Sequence, residues 1–341
     1  MTDKQWQQLL AVLAGEVLDP LPCGFIIDCP WLPGWYGVKV IDYLVNQQVW
    51  LDANRKAIET FPDVWFLPGF WAEFGMCTEP SAFGSVCQFT ADGFPHAKKR
   101  ILRISDIDDL QVPDPHTDGL LPFVIARLRW ASPVIEDMGH RIRFSIARGP
   151  LNIASFLMGT TEFLMALKTD PGPIHKLLRL ITDFLRQWLQ LQQESFPSID
   201  GVMILDDVVG FIGSEDFDEF AFPYLKELFD TRLSVRFFHN DASCSQSIGR
   251  YAQMGVNLYN PGSGDGITKL RQLAGPEVTI LGNIPARDVL ADGSPDQVRQ
   301  AVKEMLSQIK DRRRWIPSCG GGMPPGVGTE NIKAFINAVR F

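Results

Sequence analysis

His239, Asp241 and Cys319 carry the three side-chain ligand types that zinc takes from proteins: imidazole nitrogen, carboxylate oxygen and thiolate sulfur. A thiolate makes such a set soft enough to prefer zinc to magnesium or calcium. Three protein ligands leave one coordination place for a substrate. Each residue also has a plain reading. A single His near a strand end commonly just hydrogen-bonds, and a Cys ahead of Gly320, Gly321 and Gly322 suits tight packing. Upstream, Asp206 and Asp207 form a paired carboxylate. Adjacent acids separate in role when one meets water and the other a pocket, which suits an acid/base pair, an amine anchor or one metal ligand. Capping the next helix is their plain alternative. Glu219, on the helix after them, is counted with the metal ligands. Arg148 suits a carboxylate, and Asn260 and Asn283 offer amides to a cofactor. Asp28 ends the first apolar run, where it is either a site residue or a helix cap.

These residues share a position: each of Asp28, Arg148, Asp206, Asp207, His239, Asp241, Asn260, Asn283 and Cys319 lies at or just past the end of a short apolar run. The eight runs are 24–28, 64–68, 143–148, 201–207, 235–240, 255–260, 278–283 and 315–319. Near-continuous apolar runs are what strands covered on both faces require. Helical patterns lie between several of them. In 171–196 Ile174, Leu177, Leu178, Ile181, Leu185, Trp188 and Leu189 make one face. Ser294, Pro295 and Gln297 read as a capping box with proline at the first helical position, and Thr329 opens a last helix. Strand followed by helix, repeated to the end, predicts a parallel sheet, and about eight strands predict closure into a (β/α)₈ barrel. An open doubly wound sheet would give similar local patterns. In a barrel the strand ends converge on one face, which carries the site.

Residues 31–118 fit the repeat poorly, being dense in aromatic, Gly and Pro residues. They read as an irregular excursion over the barrel mouth within a single domain spanning 1–341. Trp31, Trp35, Trp65, Phe70 and Trp71 are available there to line a pocket for an aromatic ring or to pack in the core.

The chain of 341 residues is 45% hydrophobic and 21% charged, with a formal net charge of −8. This is a globular composition. The negative balance argues against a nucleic-acid groove or an anionic membrane surface. No apolar run is long enough to span a bilayer, and the first residues lack the apolar core of a signal peptide. Six cysteines without a CxxC pair read as reduced thiols, so the expected compartment is the cytoplasm. Walker A, GxGxxG, GxSxG and HExxH motifs are not found in the sequence.

The C-terminal pieces FFHND (237–241), MGVN (254–257), LGNI (281–284), LADG (290–293), SCG (318–320), PPG (324–326) and TEN (329–331) occur in an order that resembles the uroporphyrinogen decarboxylase superfamily. GPL (149–151) and PYL (223–225) are similar to it too. The resemblance covers 140–341 well and the N-terminal part loosely, and it implies a (β/α)₈ barrel. The decarboxylases of that superfamily carry an N-terminal segment of the type RQAGRY, whose arginines steer an acidic porphyrinogen. The comparable segment here is DCPWLPG (28–34), with no arginine. The resemblance therefore points to the other branch, the corrinoid-dependent methyltransferases, which bind zinc through a His-x-Cys pair and a distant Cys. His239 and Cys319 stand where the first and last ligands would be, and Asp241 replaces the middle cysteine, which makes the set harder. Some O-demethylating members are understood to use acids with a histidine, for which Asp206 or Asp207, Glu219 and His239 would serve. The activity that the resemblance implies is methyl transfer from a small methylated donor, an aryl methyl ether preferred, to a corrinoid carried by a partner protein. A homodimer is compatible with it. The alternatives are a decarboxylase and a non-catalytic binding module.

Overall fold

Eight short strands, buried along almost their whole length, make the frame of the computed structural model, which describes residues 1–27 and 30–340. They are β1 (Cys23–Ile26), β2 (Val64–Leu67), β3 (Phe144–Arg148), β4 (Gly201–Leu205), β5 (Val235–Asn240), β6 (Leu258–Pro261), β7 (Thr279–Leu281) and β8 (Trp315–Ile316). All eight lie on the runs expected from the sequence. Strands β3 to β8 form one parallel sheet in chain order, and β1 pairs with β2 in parallel. The Gly24 N–H donates to the Pro317 carbonyl and joins β1 to the chain after β8. The result is a (β/α)₈ barrel.

Between β2 and β3 side chains replace the ladder. Gln192 accepts from the Ile146 N–H and donates to the Ile146 carbonyl, each at 2.9 Å, and Glu79 accepts from the Arg148 N–H. These contacts satisfy the free edge of β3, whose backbone groups would otherwise be buried without partners. Gln192 belongs to the helix Pro171–Ser195, whose apolar stripe is buried as its periodicity predicts.

Side chains alternate along each strand. Phe144, Met203, Leu205, Val235, Phe237, Leu258, Leu281 and Ile316 fill one core cluster, which Trp6, Leu9, Val12 and Leu13 of the helix Asp3–Ala14 complete. Trp6 packs edge-on against Phe144 and donates to Asp200, which precedes β4, so this helix covers the N-terminal end of the barrel. A Thr2–Gln5 capping box starts it. A larger cluster lies between the strands and the outer helices. The Ser294 capping box and the helix Thr329–Arg340 are present as read. Within 31–118 the chain forms β2, a small hairpin and the helix Gln47–Thr60. Trp31, Trp65, Phe70 and Trp71 are each at most 5% exposed. They are buried in the core, the second of the two readings open to them in the sequence. No described helix is long and apolar enough to cross a membrane.

Candidate metal centre

Strand register sets the site. Arg148 pairs with Leu205, Leu205 with His239, and His239 with Asn260, so these four form one row around the C-terminal end of the barrel. Asp207 follows β4 and Asp241 follows β5, which brings both carboxyls to the His239 ring. Ligand atoms of Asp207, His239 and Asp241 all lie within 4.8 Å of one another. His239 Nε2 is 3.8 Å from Asp207 Oδ1, which also accepts from the Asp241 N–H at 3.0 Å.

Asn260 decides which nitrogen of His239 faces this group. Its Nδ2 donates to the Leu281 carbonyl at 2.7 Å, so its Oδ1 faces His239 Nδ1 at 2.8 Å and accepts the hydrogen there. The lone pair of Nε2 is thereby turned to the carboxylates, the arrangement in which an outer partner orients a metal-binding imidazole. Desolvation among packed loops and the neighbouring Asp207 charge raise the Asp241 carboxyl above the ordinary aspartate range, and the two carboxyls hydrogen-bond each other. A proton or a cation between them relieves the repulsion. The glycine loops make this packing close. A Cβ on Gly262 would stand 2.1 Å from the Asp241 carbonyl oxygen.

The donor set fits a divalent cation. The 3.8 Å separation is near the spacing that bonds of ~2.0–2.2 Å give around a tetrahedral ion. One imidazole and two carboxylates suit zinc, and also harder metals. His239 is buried while Asp207 and Asp241 are open on one side, so the remaining place faces the mouth.

The other sequence-derived candidates among the described residues lie outside this group of ligand atoms. Asp206 is wholly buried and accepts from the Leu151 and Asn152 N–H groups, capping the helix Pro150–Met158. Burial pushes its carboxyl well up against the pull of those donors. A Cβ on Gly149 would stand 2.2 Å from Asp206, so only glycine lets the two meet. Arg148 is buried between Glu73 (2.7 Å) and Glu79 (3.3 Å). Asn283 donates to the Gly262 and Asp265 carbonyls and pins that loop. Cys319 is buried, burial pushes its thiol up to about 12, and its Sγ turns to the Gly321 carbonyl. Glu219 pairs with His175 on the surface. Asp28 lies outside the described residues. Sequence reasoning missed Glu73, Glu79 and the part played by Asn260. Glu73 is the only charged residue in 64–78, and an acid isolated in an aromatic run must find a cation once buried.

A parallel barrel with a cluster of metal-ligand side chains at the C-terminal ends of its strands is the architecture of a (β/α)₈ enzyme. The family model described as uroporphyrinogen decarboxylase (URO-D) matches residues 5–341. The chain belongs to the uroporphyrinogen decarboxylase family, whose members include enzymes. Among its relatives are the uroporphyrinogen decarboxylases of Anaeromyxobacter sp. (strain Fw109-5), 27% identical over 73% of this chain and 71% of that one, and of Chlorobium phaeovibrioides, 27% identical over 69% and 68%. Among solved structures, a methyltransferase from Methanosarcina mazei superposes with a TM-score of 0.81 at 19% identity, covering 97% of both chains. A B12-independent methionine synthase from Shewanella sp. W3-18-1 gives 0.56 at 10% identity, covering 94% and 95%. At these identities the two structures bear on the fold alone.

Proposed function

We propose that this protein is a metal-assisted methyltransferase that moves a methyl group from a small methylated donor to the corrinoid of a separate protein, with zinc held by Asp207, His239 and Asp241. The observation that carries the reading is the Asn260-oriented Nε2 of His239 facing two carboxylates at an open barrel mouth. Bound there, zinc would supply Lewis acidity to the donor's heteroatom and make it a better leaving group. His239 and the two aspartates would hold the ion. Asn260 would keep the His239 hydrogen on Nδ1. The glycine loops at Gly262 and Gly321 would hold Asp241 in place. The corrinoid, brought by its own protein, would take the methyl group. The fold shared over the whole chain with a methyltransferase is compatible with the same reading.

A second reading, decarboxylation of an acidic porphyrinogen, is favoured by the names of the sequence relatives. The electrostatics at the strand ends oppose it. Asp207 and Asp241 present negative charge there, and Arg148 is engaged by two glutamates, so a polycarboxylate would be repelled.

The two readings separate in one assay. The zinc-loaded protein is mixed with a cobalt(I) corrinoid protein and, in turn, an aryl methyl ether, a methylamine and a methylthiol, and methyl-cobalt(III) is followed by its absorbance. Formation with one of these donors, lost in His239→Ala, is the expected result. No methyl-cobalt(III) with any of them, together with carbon dioxide release from uroporphyrinogen, would establish the decarboxylase instead.

A further inference from the structure

Two thiols meet beside the chain that leaves β2. Cys77 immediately precedes the short helix Thr78–Ala82 and is fully buried. Cys87 opens a hairpin in which Cys87–Gln88 pairs antiparallel with His96–Ala97, and it is partly exposed. The Cys87 Sγ lies 4.0 Å from the Cys77 carbonyl oxygen and 3.7 Å from that of Ser85, which sets the two cysteines side by side. The other described cysteines, Cys23, Cys244 and Cys319, are all buried.

We propose that Cys77 and Cys87 are a redox-active pair that forms a reversible disulfide by exchange with a low-molecular-weight disulfide. The inference is independent of the methyl-transfer reading. Thiolates are the attacking species in such exchange, and access decides which thiol reacts first. Cys87 has the access. It also has the more acidic thiol, because the neighbouring Cys77 thiol pulls it below the ordinary cysteine value, while that same neighbour and burial raise Cys77. In the first step the Cys87 thiolate attacks one sulfur of the small disulfide, the sulfur–sulfur bond breaks, and one small thiolate leaves. In the second, the Cys77 thiolate attacks the Cys87 sulfur and expels the other. The two protons given up by the cysteines go to the two departing thiolates. Two cysteine thiols are thus oxidised to one disulfide, and one small disulfide is reduced to two thiols. Since the Cys87 sulfur already lies against the Cys77 backbone, closing the bond calls for side-chain rotation within the geometry a disulfide permits. The cross-link would tie the hairpin to the helix carrying Glu79, whose carboxylate holds the β3 edge at Arg148.

The test uses the full chain incubated with oxidised glutathione. Free thiols are alkylated, the protein is unfolded and digested, and the cysteine peptides are mapped by mass spectrometry. A peptide linked through Cys77 and Cys87, released by dithiothreitol, is the expected product. Cys77→Ser should stop at a glutathione adduct on Cys87, and Cys87→Ser should leave Cys77 unoxidised. Because the wild-type arm needs no variant, misfolding of either serine variant does not blunt the test. Wild-type protein in which Cys87 stays reduced, stops at the glutathione adduct or joins a different cysteine would overturn the proposal.

Discussion

At His239 the two edges of one ring do different jobs: Nδ1 gives its hydrogen to Asn260, and Nε2 faces Asp207 and Asp241. The proposed metal set would thus be defined by an orienting amide as much as by its ligands. Asn260→Ala should weaken zinc binding about 10–100-fold, the range found when an outer partner of a metal-bound His is removed. Competition against a chromophoric chelator measures it. In the same titration Cys319→Ser and Glu219→Gln should bind zinc as the wild type does, because Cys319 bonds to the Gly321 carbonyl and Glu219 to His175. A Cys319→Ser loss as large as that of His239→Ala would refute the ligand assignment. Asp207, His239 and Asp241 were legible in the sequence because strand ends converge in any parallel barrel. The part played by Asn260 was not, since it depends on the pairing of β5 with β6. Glu73 and Glu79 were hidden for the same kind of reason: their partner Arg148 is far away in the chain.

Among the elements, the apolar runs announced all eight strands, because strands covered on both faces leave a continuous signature. The helix Gln47–Thr60 was masked by the aromatic and Gly/Pro punctuation around it, although Trp50, Leu51, Ala53, Asn54 and Ala57 lie on its buried side. The place of the helix Asp3–Ala14 beneath the barrel could not be read from the sequence, because it depends on contacts of Trp6 with Phe144 and Asp200 far along the chain. That helix is anchored in part by the bridge between Thr2 and His140. Burial lowers His140 from 6.5 to about 4, so it is neutral in the folded chain. A depressed folded value means stability that is present above the unfolded pKa and lost as pH falls toward 4. Urea denaturation between pH 7 and 4 should therefore show wild-type stability falling with acid, and His140→Leu should flatten that slope. An equal slope in the variant would show that His140 is not a source of the acid sensitivity.

Taken whole, the molecule carries its acidic balance into the site: a chain with net charge −8 places two carboxylates beside a histidine at the open end of its barrel. The far end is closed by the helix Asp3–Ala14, and the outer helices cover the wall. Access to the three candidate ligands is therefore from the mouth, where a donor and a partner's cofactor would have to meet. The sequence resemblance leaves carboxylates and the Cys319 thiolate competing for the places beside His239, whereas the three-dimensional arrangement favours oxygen from Asp207. X-ray absorption at the zinc edge of the reconstituted protein distinguishes them directly. With Asp207, His239 and Asp241 as ligands, the first shell should contain nitrogen and oxygen scatterers at ~2.0–2.2 Å and no sulfur. A sulfur scatterer at ~2.3 Å, or a protein that takes up no zinc at all, would rule this centre out.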